Sequence, residues 1–286
     1  MTQAYLNGTF TALEDARISP MDRGFLFGDG VYEVIPCYGG QLVAMPYHLE
    51  RLAQSLNGIA LASPHSDDSL TSVLMELVDR NGGGDLGVYL QITRGAAPKR
   101  QHAFPEHIEP TVFAYTFAIA PPSDGSPESA KCFSAVTRTD QRWERCHIKS
   151  TALLGNVLHM MEAIDAGAEE VLLFNSDDEL TEAAACNVFV VNNGKVLTPA
   201  LDHQILPGVT RRQCLELLEA HTSWQVEIRP VLREEVEQAQ EIWLSSSTKE
   251  LAPIVSLDGK SVGDGKPGKK WAVAQKLFHE HRFSAN

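Results

Sequence analysis

Ile148-Lys149-Ser150-Thr151 leads into an apolar-periodic stretch, and the reading of that stretch decides the fold. Leu153, Leu154, Val157, Leu158, Met161 and Ile164 recur at helical spacing, which predicts a helix over residues 151–166 with those side chains on its inner face. Glu170-Val171-Leu172-Leu173-Phe174 then reads as a strand. Asn187-Val188-Phe189-Val190-Val191 pairs with residues 195–198 through an Asn193-Gly194 turn. Helices, strands and hairpins mixed in this way point to an α+β fold rather than a doubly wound parallel sheet. No Gly-x-Gly-x-x-Gly opens a helix.

Upstream, Tyr5-Leu6-Asn7-Gly8-Thr9-Phe10 has the form of a hairpin. Leu49, Leu52, Leu56 and Ile59 predict a helix after Pro46, and Leu70, Val73, Leu74, Leu77 and Val78 a second over residues 68–80, stopped at Asn81-Gly82-Gly83-Gly84. Strands are expected at 87–93 and 111–120. Pro121-Pro122-Ser123-Asp124-Gly125-Ser126-Pro127 is the clearest linker. The expected organisation is therefore an N-terminal domain over 1–120, a linker over 121–128 and a C-terminal domain over 129–286. Downstream, a strand is expected at 132–137 and a helix at 208–221 with Cys214, Leu215 and Leu218 inside. A further strand ends at Trp243-Leu244, and a last helix covers 267–283.

The 286 residues carry 24 Lys and Arg against 37 Asp and Glu, a net charge of −13. That balance argues against phosphate-backbone binding, so no nucleic-acid partner is expected. No apolar run approaches the roughly 18 residues of a membrane span. The N-terminus has neither the basic flank nor the apolar core of a signal peptide, and the expectation is a cytoplasmic enzyme. Cys37, Cys132, Cys146, Cys186 and Cys214 are odd in number and widely spaced, which reads as reduced thiols in apolar surroundings. The histidines form no ligand cluster, and no metal is expected.

Several short features can carry chemistry. Arg23 to Glu33 contains three glycines and ends near the Tyr32 phenol, either a turn before a strand or a backbone bent around a ligand. His48 and Arg51 share a helix face, as a solvated pair or as a clamp on a phosphate or carboxylate. Lys99-Arg100-Gln101-His102 is a basic loop in an acidic chain, a solvated tip or a carboxylate receptor. Lys149, between apolar neighbours and a helix entry, has the setting of a nucleophilic amine. Leu206-Pro207-Gly208-Val209-Thr210-Arg211 opens a helix, where the Val209 and Thr210 amides form an anion site or an ordinary water-capped terminus. Ser245-Ser246-Ser247-Thr248 can add hydroxyls to the same anion.

In this order the features resemble the class IV (fold-type IV) aminotransferases that use pyridoxal 5'-phosphate, over nearly the whole chain. The most specific matches are Ile148-Lys149-Ser150, Leu180-Thr181-Glu182 and Asn187-Val188-Phe189. Within the superfamily the chain is most similar to D-amino acid (D-alanine) aminotransferases, through Arg23 to Val34 and Arg100-x-His102. The resemblance implies a two-domain α+β architecture with the cofactor in the interdomain cleft. It implies that Lys149 forms the Schiff base and shuttles the substrate proton, and that Glu182 pairs with the pyridine nitrogen. Leu206 would pack on the ring, while Arg51, Val209, Thr210 and Ser247 would hold the phosphate. Tyr32, Arg100 and His102 would hold the substrate carboxylate, with the Arg and His supplied across a homodimer. The implied reaction is ping-pong transamination between a D-amino acid, such as D-alanine or D-glutamate, and pyruvate or 2-oxoglutarate.

Other readings on the same scaffold are branched-chain L-amino acid transamination, aminodeoxychorismate lysis, or a silent cofactor-binding protein. Two departures stand out: Ala183-Ala184-Ala185-Cys186 replaces a common Gly-and-serine run, and His147 stands where Asp is common.

Overall fold

Alternating strands build the first of two units in a computed structural model that describes Met1–Asn286; this unit takes in Met1–Pro121, Ile148–Leu153 and Ala285–Asn286. Strands β1 (Gln3–Leu6) and β2 (Thr9–Ala12) form the hairpin expected at Asn7-Gly8, whose two turn residues both have positive φ. After them come α1 (Arg23–Phe27), β3 (Gly30–Tyr38) and β4 (Gln41–Leu42). The unit continues with α2 (Met45–Gly58), α3 (Asp67–Arg80), β5 (Leu86–Thr93) and β6 (Thr111–Ala118). The six strands make one antiparallel sheet in the order β2-β1-β6-β5-β3-β4.

The sheet's period-2 alternation separates two surfaces. Val31, Ile35, Val88, Leu90, Ile92 and Val112 pack with Leu52 and Leu56 of α2 and with Leu70, Leu74 and Leu77 of α3. On the other face Tyr32, Tyr89, Tyr115, Phe113 and Phe117 form a chain of ring contacts, with successive centroids 5.2–6.1 Å apart.

Residues 151–153 are not helical, contrary to the expected helix start. Ile148–Leu153 instead lies extended along β3: the Tyr32 amide donates to the Lys149 carbonyl (3.0 Å), and the Thr151 amide to the Gly30 carbonyl (3.0 Å). The Thr151 hydroxyl adds a bond to the Gly28 carbonyl (3.1 Å). These bonds satisfy the groups that a first helical turn would have used.

The second unit comprises Pro122–His147 and Leu154–Ser284. In chain order it contains β7 (Phe133–Thr139), α4 (Leu154–Asp165), β8 (Glu170–Phe174), β9 (Leu180–Ala183), β10 (Asn187–Asn192) and β11 (Lys195–Thr198). Then follow α5 (Val209–His221), β12 (Val226–Ile228), α6 (Arg233–Glu237), β13 (Glu241–Ser246), β14 (Glu250–Leu257), β15 (Lys260–Ser261) and α7 (Lys269–His281). Its nine strands form a mixed sheet in the order β12-β11-β10-β13-β14-β7-β8-β9, with β15 beside β14. Cys214, Leu217 and Leu218 of α5 and Trp271 and Phe278 of α7 cover one face over Phe189, Val191 and Trp243; Leu215 is only partly buried. A second cluster, including Leu172, Val188, Val190 and Leu244, fills the opposite side. Burial on both faces is why β8 and β10 read as continuous apolar runs.

Helix α4 reverses the expected orientation. Val157, Leu158, Met161 and Ile164 are 45–57% exposed and Leu154 is 70% exposed, whereas His159 and Ala163 are buried. The inward face is polar and small: His159 accepts from the Gln141 amide (3.1 Å), and the Asn156 side chain donates to the Ala184 carbonyl (2.8 Å). Periodicity identifies which side chains share a face, not what that face meets. No helix is long and apolar enough to cross a membrane.

Candidate active site

In the first unit, Lys149 is half-buried and fixed by its backbone. Its amide donates to the Ser55 hydroxyl of α2 (3.1 Å), its carbonyl accepts from Tyr32 of β3, and its Nζ lies 4.2 Å from the centroid of the Tyr32 ring. No carboxylate forms an ion pair with this amine. A lysine so placed is available for covalent chemistry, with the Tyr32 π-face beside it.

His48 and Arg51 are buried, not the solvated pair that their position beside the leucine stripe allowed. They converge on Glu33 of β3. Arg51 donates through Nε to Oε1 (2.9 Å) and through Nη2 to Oε2 (2.7 Å), while His48 Nδ1 lies 2.7 Å from Oε2. The clamp suggested by the sequence thus grips a carboxylate of the chain itself. Sequence reasoning misses Glu33, although a signal is present: it falls between Val31 and Ile35 on the inward side of β3, where a charge requires a partner.

Burial pushes the Glu33 carboxyl up, but the charge and hydrogen bonds of Arg51, with those of His48, bring it down to about 2 from an ordinary 4.5. Burial lowers His48 below its ordinary 6.5, against the pull of Glu33. Both shifts make the unfolded chain bind more protons in acid. Stability from this cluster is therefore present above about pH 6.5 and falls as the pH drops through 4.5 towards 2, with Glu33 alone worth on the order of 3 kcal/mol. Thermal unfolding measured across this range should lose midpoint in acid. The Glu33→Gln variant should be flatter below pH 4.5; an acid limb as steep as that of the unaltered protein would contradict the assignment.

Arg100 and His102 occupy the loop between β5 and β6, both exposed, and both lie against Phe27. The Arg100 guanidinium carbon is 5.0 Å from that ring's centroid and the His102 ring 5.5 Å. Lys99 is exposed on the same loop.

In the second unit, Glu182 of β9 is buried and held from three directions. Oε2 accepts from the Asn187 side chain (3.2 Å) and from the Leu206 amide (3.1 Å), while Oε1 pairs with Arg142 Nη1. Arg142 is itself fixed by both oxygens of Asp140 (3.0 and 2.7 Å) and by the Gln204 carbonyl (3.2 Å). The Thr181 hydroxyl closes the network on Asp140 (2.7 Å). Burial raises the Glu182 carboxyl above its ordinary value, and the Arg142 charge opposes that rise. Sequence reasoning misses Arg142 and Asp140 because their pairing with β9 joins residues forty positions apart, which no local pattern reports.

Leu206 is half-buried, with both backbone groups committed: its amide to Glu182, and its carbonyl to the Asn187 side chain (2.9 Å). Gly208 is the N-cap of α5, and no side chain caps that terminus. A Cβ at Gly208 would collide with the Asn187 amide oxygen, so only glycine lets α5 start this close to β10. Val209 and Thr210 form the first turn and are buried. Ser245, opposite Asn187 in the β10–β13 pairing, has a buried hydroxyl with no hydrogen-bond partner. Ser247 is half-buried just beyond the end of β13. An uncapped helix terminus, an orphaned hydroxyl and a buried acid suit a ligand bearing both a phosphate and a basic ring nitrogen.

The chain as a whole has known relatives. The family model described as Amino-transferase class IV matches residues 30–257. The D-alanine aminotransferase of Bacillus licheniformis is 39% identical over 92% of this chain and 90% of its own. That of Staphylococcus haemolyticus is 34% identical over 98% of each chain. Among solved structures, the branched-chain amino acid aminotransferase of Escherichia coli superposes with a TM-score of 0.90 at 22% identity, covering 99% of this chain and 95% of that one. The branched-chain enzyme of Thermobaculum terrenum, in its PLP form, gives 0.87 at 22% identity, covering 99% of this chain and 94% of that one. At such identities these structures establish the fold-type IV α+β architecture, while the family model and the full-length relatives establish the lineage: the chain belongs to the class IV amino-transferases.

Proposed function

We propose that this enzyme is a pyridoxal-5'-phosphate-dependent D-amino acid aminotransferase, exchanging the amine of D-alanine or D-glutamate with pyruvate or 2-oxoglutarate. The observation that carries the reading is the full-length similarity, at 34–39% identity, to enzymes named D-alanine aminotransferase. When bound, the cofactor supplies an electron sink for the pair left by a broken Cα–H bond.

The chain's own residues serve that chemistry. The Lys149 amine would hold the cofactor covalently and then carry the substrate Cα proton. Glu182, whose charged form Arg142 favours against the cost of burial, would hold a proton on the ring nitrogen. Leu206 would pack on the ring. The Val209 and Thr210 amides, the Thr210 and Ser247 hydroxyls and Arg51, oriented by Glu33 and His48, would bind the phosphate. Tyr32, Arg100 and His102 would bind the substrate carboxylate.

The enzyme would work as a cytoplasmic homodimer with Arg100 and His102 serving the partner's site. Five free cysteines accord with a reducing compartment. The outward Val157, Leu158, Met161 and Ile164 of α4 offer an apolar stripe that a second copy would cover, each half-exposed side chain contributing on the order of 1 kcal/mol if the rest of it is buried.

Formation of D-alanine from pyruvate and D-glutamate, set against L-leucine from 4-methyl-2-oxopentanoate and L-glutamate, tests the reading. D-alanine should dominate. L-leucine alone would replace the proposal with the activity named for the structural neighbours, and sedimentation at the mass of one 31.4 kDa chain would remove the dimer.

A further inference from the structure

The loop that presents Lys99, Arg100 and His102 has an exposed tip but a buried foundation. Arg23, the first residue of α1, is 3% exposed and donates to three successive loop carbonyls: Nη1 to Gln101 (2.7 Å) and Ala103 (3.4 Å), and Nη2 to His102 (3.1 Å). Its Nε donates to Asp29 Oδ2 (2.7 Å). The same oxygen accepts from Arg94 Nε (2.9 Å), and Arg94 reaches back to the Ile59 and Ala60 carbonyls after α2 (2.6 and 3.2 Å). Phe104 closes the loop, with its ring centroid 3.6 Å from the Arg94 guanidinium carbon and 5.8 Å from that of Arg23.

A solvated loop tip does not require this arrangement. Burying two guanidiniums against one carboxylate oxygen carries a desolvation cost that a merely tolerated loop would avoid. The gain is placement. The segment from 94 to 110 has no helix and no strand of its own, so its backbone position depends on such ties. α1 supplies both the anchor and the platform, since Phe27, at its other end, carries the Arg100 and His102 contacts.

We propose that Arg23 is a positioning residue for substrate recognition, fixing the 101–103 backbone so that Arg100 and His102 meet the substrate carboxylate in register. The inference rests on the carboxylate role given above to Arg100 and His102. A planar fork can serve three carbonyls and Asp29 together; an ammonium cannot.

The test uses the full-length protein saturated with pyridoxal phosphate. Arg23→Gln should raise KM for both D-alanine and pyruvate about tenfold or more, with kcat within about threefold and cofactor absorbance unchanged. Arg23→Lys should not restore KM. Arg100→Met run beside it separates the two ideas: if Arg100→Met leaves KM unchanged, the underlying carboxylate reading fails and this inference with it. If Arg100→Met raises KM while Arg23→Gln stays within twofold of the unaltered protein, or lowers kcat alone, only the positioning role is overturned. Should Arg23→Gln fail to fold, Phe104→Leu decides, because Phe104 is 56% exposed and its loss is tolerable to the core. A severalfold rise in both KM values supports the proposal, and unaltered values overturn it.

Discussion

Replacing Lys149 with alanine should lower the transamination rate by ~10³–10⁴-fold while leaving the protein folded. The backbone bonds that hold this segment, to Ser55 and Tyr32, involve main-chain atoms and survive truncation of the side chain. What disappears is the amine, and no second lysine is paired with Tyr32 to substitute for it. Two measurements accompany the rate. Borohydride treatment of the unaltered enzyme should leave cofactor mass on the peptide containing Lys149, and none in the variant. Added methylamine should restore part of the activity by supplying a free base. A variant retaining a tenth of the normal rate would remove Lys149 from the chemistry.

The second large effect belongs to Glu182 and its guanidinium partner. Glu182→Gln should cost ~10²–10³-fold in rate, because an amide cannot stabilise a proton on the ring nitrogen as a carboxylate does. Arg142→Met provides the sharper readout. Burial already raises the Glu182 carboxyl, and Arg142 is the charge that opposes the rise. Removing that charge raises it further, so the ionised form exists only at higher pH. The acid limb of the kcat profile should therefore move upward in Arg142→Met and vanish as a feature of this group in Glu182→Gln. An acid limb unchanged by Arg142→Met would show that Glu182 ionisation does not govern the rate. Stability should fall too in Glu182→Gln, though by less than for an isolated buried pair, because Asp140 continues to hold Arg142 when residue 182 is neutral.

The sequence carried much of this into view, and the reasons differ by residue. The Asn7-Gly8 and Asn193-Gly194 turns were legible because their chemistry is local, and the hairpins follow from them. The leucines of α2 and α3 were legible because a helix with one apolar stripe needs no distant information to be recognised. Lys149 stood out as a candidate through its apolar neighbours, a setting that other lysines can share, whereas the roles proposed for Lys149 and Glu182 came from the resemblance. The connection of Arg142, Asp140 and Asn187 to Glu182 became visible only once their side chains were located around it.

Two features show where sequence reasoning ends. His48 and Arg51 have the spacing of a surface pair, and only the placement of α2 over β3 reveals Glu33 between them. The apolar face of α4 has the spacing of a core helix, and only its docking through His159, Asn156 and Ala163 reveals that the face points outward. Composition, turn chemistry and periodicity thus determined the α+β class, the elements and most of the side chains that avoid water, because these depend on neighbours within a few residues. The tertiary structure decided which charges are paired, which apolar stripe faces outward and which backbone is pinned beneath Arg100 and His102. Those outcomes depend on contacts between segments far apart in the chain, where burial changes what a charge or an apolar surface costs.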